Sequence, residues 1–106
     1  MPRQICLVRE YLAMSMRIEA RIHALAGGNG RWVLLCAAGL SGAQPTEIKA
    51  QGPFLGAREA TRVLDAIVDN LRRQGYREVS EEPIWCLHMQ ARLRQLNGVP
   101  QRRAWP

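Results

Sequence analysis

Residues 52–76, GPFLGAREATRVLDAIVDNLRRQGY, decide the fold. Ala60, Val63, Leu64, Ile67, Val68 and Leu71 recur at helical spacing, with charged side chains on much of the remaining surface. Arg72 and Arg73 fall in the last turn, where the helix dipole favours cations, and Gly75 stands ready to close the C-terminus. This predicts one amphipathic helix over 57–74, with an apolar stripe that needs a sheet to cover.

That sheet is sought upstream. In 15–25, Met16, Ile18, Ala20, Ile22 and Ala24 alternate with Arg17, Glu19, Arg21 and His23, the pattern of a strand with one face in the core and one in water. Gly27, Gly28, Asn29 and Gly30 form a turn, and the mostly apolar run 31–40, RWVLLCAAGL, fits a hairpin partner. A second turn at 41–45 leads to a more polar third strand over 46–51. Residues 3–26 hold no Gly or Pro, and Leu7, Tyr11, Met14, Ile18, Ile22 and Leu25 follow heptad-like spacing, so one long helix is the rival reading. Strict charge alternation and the Gly-rich turn favour the strand for 15–25. Residues 4–13 stay open between helix and strand.

Downstream, Glu81, Glu82 and Pro83 have the composition of a first helical turn. Trp85, Met89, Leu93 and Leu96 then form a stripe, predicting a second helix over 83–97. The expected fold class is α+β: a three-stranded antiparallel β-meander packed on a central amphipathic helix, with a second C-terminal helix. Residues 1–98 are expected to form one small domain and 99–106 a flexible tail, in keeping with a 106-residue chain that can bury one core.

Several chemistries find little support. Cys6, Cys36 and Cys86 are an odd count with no paired spacing, which suits a reducing, cytoplasmic setting rather than a disulfide framework. Arg9 and Glu10 interrupt the first apolar run, so no signal peptide is expected, and no stretch is long and apolar enough to cross a bilayer. Cys86 and His88 lie two apart, which on a helix turns them away from each other, so no metal site is expected. The glycine turn lacks a following G-K-[ST] and is no phosphate loop. The carboxylates are scattered among arginines and form no acid/base pair. No cofactor is implied, and a non-enzymatic protein is expected.

The balance of charge is the remaining signal. The net charge is +6, and Lys49 is the only lysine among fifteen basic residues. A coding preference for Arg accounts for that equally well, and a solvated Arg-rich surface is the plain alternative. The candidate nucleic-acid contacts are Arg17, Arg21, Arg31 and Lys49 on a sheet face and Arg92, Arg94, Arg102 and Arg103 near the C-terminus. Phosphate contacts with stacking on aromatics would suit single-stranded nucleic acid, although the aromatic supply is thin. A regulatory protein-interaction adaptor is the second expectation, acting through the apolar N-terminal segment and the C-terminal helix. A homodimer that buries Leu7, Leu12 and Met14 is one form of it.

Overall fold

A computed structural model of the chain describes residues 4–27 and 29–98. Five strands and two helices follow in the order β1 (Gln4–Tyr11), β2 (Met14–Ala24), β3 (Arg31–Leu40), β4 (Glu47–Leu55), α1 (Ala57–Arg73), β5 (Arg77–Val79) and α2 (Cys86–Gly98). The sheet is antiparallel throughout, in the order β4-β3-β2-β1-β5. The fold is therefore α+β, with five strands where the sequence pattern suggested three. Residues 4–11, left open above, are the additional strand β1, and the long-helix alternative fails. β5 is three residues long, too short for an alternation pattern to declare it.

β1 and β2 meet with Tyr11 opposite Met14, which leaves Leu12 and Ala13 as a two-residue turn. Both have positive φ, 50° and 65°, as a type I′ turn requires. Neither is the Asn or Gly that usually marks such a turn, so the sequence carried no signal for it. β4 runs four residues beyond the expected 51 because a bulge opposite Trp32 and Leu34 lets pairing resume at Phe54. Gly52 makes this possible: its φ is 124°, and a Cβ there would meet the Trp32 carbonyl oxygen at 3.0 Å.

α1 ends within a residue of its expected boundary. The Gly75 N–H donates to the Arg72 carbonyl and the Tyr76 N–H to the Leu71 carbonyl, at 3.1 and 3.0 Å, a Schellman closure. The helix joins β4 to β5, the two opposite edges of the sheet, and so crosses the three strands between them. Ala60, Leu64 and Val68 pack there on Ile5, Leu7, Ala20, Ile22 and Leu34.

The other face of the sheet is covered too. Val33, Leu35 and Ala37 are sealed under Trp85 and Met89 of the α2 region. The molecule thus has three layers, with a helix on each side of the sheet, so the expected solvent-facing side of β2 is corrected. Residues 81–85 are not helical, and α2 begins at Cys86 rather than at residue 83. The tail expected over 99–106 lies outside the described residues.

Candidate functional site

Among the described residues, the buried charges lie on the α2 side of β2. Arg17 and Glu19 are 2% and 1% exposed, although they alternate with apolar residues as solvent-facing positions do. Arg17 Nε donates to Glu19 Oε2 at 2.7 Å, Nη1 to Glu81 Oε1 at 2.7 Å, and Nη2 to the Glu82 carbonyl at 2.8 Å. Glu19 in turn accepts the backbone N–H of Ile84 at 2.8 Å and of Trp85 at 3.1 Å. Burial alone would lower the Arg17 pKa, but its bonds to Glu19 and Glu81 outweigh that and hold it above its ordinary value. The pair therefore fixes the segment that leads into α2, and the Trp85 indole N–H adds an anchor on the Ala43 carbonyl at 2.8 Å. Arg17 is committed to this network, which corrects its expected placement on an open basic face.

Further along β2, Arg21 Nη1 donates to Cys86 Sγ at 3.0 Å, and Gln90 Nε2 reaches the same sulfur at 3.7 Å. Arg21 is half-buried beneath α2, again unlike the expected open face. Burial, with help from the Arg21 charge, pushes the His23 pKa below its usual value. Burial raises the Cys6 thiol, and it pushes Cys36, on the α1 side of the sheet, up to about 11. Among the described residues no group of three or more His, Cys, Asp or Glu side chains could hold a metal ion.

The remaining candidates divide by position. Arg31 and Lys49 are exposed but face opposite sides of the sheet, since Lys49 pairs with Cys36 on the α1 side whereas Arg31 precedes Trp32, which packs there. Lys49 also lies 3.6 Å from Glu47. Arg94 is exposed, and Arg92 is half-buried with Nη1 donating to Gln95 Oε1 at 3.4 Å. Arg102 and Arg103 lie outside the described residues.

The segments that carry Arg31, Arg92 and Arg94 are tied together at one end of the sheet. The Leu25 N–H donates to the Arg31 carbonyl at 2.8 Å, which closes the glycine turn. The Gly56 N–H donates to the Gly30 carbonyl at 2.9 Å, which ties the start of α1 to that turn. The Ala26 N–H donates to Asn97 Oδ1 at 2.9 Å, which ties the last turn of α2 to it as well. Arg31, Arg58 at the start of α1, and Arg92 and Arg94 of α2 therefore lie on segments joined at this end, with Arg62 one turn further along α1; Glu59 follows Arg58, Asp65 lies three residues past Arg62, and α2 carries no carboxylate. Arg58 and Arg62 were not among the sequence candidates. Their helical spacing was visible, but only the bond from Gly56 to Gly30 brings the start of their helix to the turn that precedes Arg31.

The opposite end is apolar. Leu12 is 75% exposed, and Tyr11, Met14 and Leu40 are each more than 40% exposed beside it. Arg9 lies over the rings of Tyr11 and Tyr76, at 5.1 and 5.9 Å from their centroids. Leu7, expected to serve a dimer surface with Leu12 and Met14, is instead sealed in the core at 1% exposure. Two clefts are lined by none of these arginines. One is lined by Gln4, Cys6, Glu78, Glu81 and Glu82, the other by Ala43, Ile84, Trp85 and His88. Among the described residues no helix is long and apolar enough to cross a membrane.

A family model for PA4575-like proteins matches residues 1–105, and the chain belongs to that family. No curated protein and no solved structure matches it.

Proposed function

We propose that this member of the PA4575-like family is a small non-enzymatic binding module that docks its arginine-rich end on the phosphates of nucleic acid. One observation carries the reading: the start of α1, the glycine turn and the last turn of α2 are tied together, and Arg31, Arg58, Arg62, Arg92 and Arg94 on those segments outnumber the neighbouring carboxylates Glu59 and Asp65. Guanidinium groups bind phosphate oxygens through paired N–H donors, and release of counterions makes such binding steeply salt-dependent. The free cysteines support a reducing, cytoplasmic setting.

The test is a charge reversal at exposed positions. Arg31→Glu with Arg94→Glu should weaken oligonucleotide binding sharply at low salt and lower the log–log salt slope by about 1 per arginine, with thermal stability nearly unchanged. Unaltered affinity would end the reading.

A second reading, a regulatory protein-interaction adaptor, draws on the apolar end. Leu12 and Ala13 hold left-handed backbone there, which costs about 1–2 kcal/mol per non-glycine residue, and Leu12 stands out in solvent. Self-association through this tip is its simplest form. Sedimentation at several concentrations decides that form: Leu12→Ser with Met14→Ser should shift the protein toward monomer, and a strict monomer before substitution removes it. A partner retained after nuclease treatment supports the wider adaptor reading, and loss of every partner counts against it.

A further inference from the structure

We infer that the basic end grips the sugar–phosphate backbone of a duplex and does not stack on single-stranded bases; this rests on the reading that the end binds nucleic acid. Stacking needs an aromatic face open to the ligand. Trp32 and Phe54, the aromatic side chains on the strand ends nearest the arginines, are cross-strand partners that pack, partly buried, against the core under α1. Trp85 is 1% exposed, and Tyr11 and Tyr76 sit with Arg9 near the opposite end. The large hydrophobic side chain left exposed beside the arginines is Leu55, which has no π face.

The electrostatics point the same way. A single strand is usually held along a positively charged groove that follows its backbone. Here the cleft beside β5 is lined by Glu78, Glu81 and Glu82 and by no arginine, so it offers a strand no positive track, and the arginine-bearing segments gather around a turn. A duplex presents a phosphate charge about every 1.7 Å of its axis, against about 3.4 Å for each strand, so arginines borne by segments joined at one end meet more charge on a duplex. Recognition of this kind positions the protein and reads no sequence.

The experiment compares, for the full chain, a random-sequence duplex of about 20 base pairs with each of its separated strands, by fluorescence anisotropy between about 50 and 200 mM salt. The duplex should bind at least as tightly as either strand. Its affinity should fall on the order of 100-fold across that range, as expected for about four neutralised phosphates, and vary less than about threefold between sequences. Trp105→Ala, in the segment outside the described residues, should leave duplex binding unchanged. Tighter binding to single strands, tenfold dependence on base identity, or loss of affinity in Trp105→Ala overturns the inference while nucleic-acid binding stands. Absence of binding to both forms at the lowest salt overturns the parent reading with it.

Discussion

The two faces of this sheet are built from different chemistry. Against α1, the contact is hydrocarbon on hydrocarbon: Ile5, Leu7, Ala20, Ile22 and Leu34 receive Ala60, Leu64 and Val68. Against α2, an apolar patch of Val33, Leu35, Ala37, Trp85 and Met89 lies beside an ion pair sealed from water. The first contact tolerates small shifts, because dispersion and the hydrophobic effect have little direction. The second depends on alignment, because a buried charge that loses its partner is far costlier than a lost methyl group. The difference teaches that a charged residue in an alternating strand marks solvent only while nothing covers that face.

The largest effect should come from breaking the α2 face at its carboxylate. Glu19→Ala leaves the Arg17 guanidinium enclosed with only its bonds at Glu81 and Glu82, and should destabilise the fold by about 3–5 kcal/mol in urea titration. Leu64→Ala on the α1 face should cost about 2–5 kcal/mol, and the comparison weakens if Glu19→Ala proves milder than Leu64→Ala. Arg17→Met with Glu19→Leu removes both charges but also the acceptor for the Ile84 and Trp85 amides, so a loss of about 1–3 kcal/mol should persist. A neutral double variant would show that the carboxylate does not seat α2.

Acid and alkali should separate the faces more gently. His23, on the α2 side, titrates lower in the fold than its ordinary 6.5, so its neutral form is favoured there. Its contribution is present above that pH and is lost as pH falls through the folded value. Cys36, on the α1 side, is pushed from 9.0 to about 11, so its contribution is present below 9 and is lost as pH rises toward 11. Stability profiles of His23→Gln and Cys36→Ala should flatten at the acid and alkaline limbs respectively, and a swap of limbs would contradict the assignment. The smallest effect belongs to the exposed arginines: Arg31→Glu or Arg94→Glu should move stability by no more than about 0.5 kcal/mol in the same titration.

The α1 half of the fold was legible because its signals are local. Leu64 and Val68 repeat at helical spacing, Gly75 closes the helix where expected, and the β2–β3 hairpin follows from alternation and glycine. What escaped was set by distant residues. Arg17 and Glu19 look like surface until segment 81–85 folds over them, and nothing near β2 in sequence announces that cover. Leu12 and Ala13 turn the chain without the usual turn residues. The candidate site was half readable for the same reason. Arg31 and Arg94 stood out by charge, but the joining of their segments to the start of α1 at one end is a product of topology, and Arg17 and Arg21 were drawn into the interior.

Glu19 holds the Ile84 and Trp85 amides from 65 and 66 positions upstream. At thirteen residues, α2 is about as short as an isolated helix can be and still have marginal stability in water. Its amide protons should therefore exchange with solvent no more slowly than those of β2, and together with them whenever the central strands part. In hydrogen-exchange terms the last helix should behave as an appended cooperative unit and a built-in reporter of the integrity of the strand that carries its anchor.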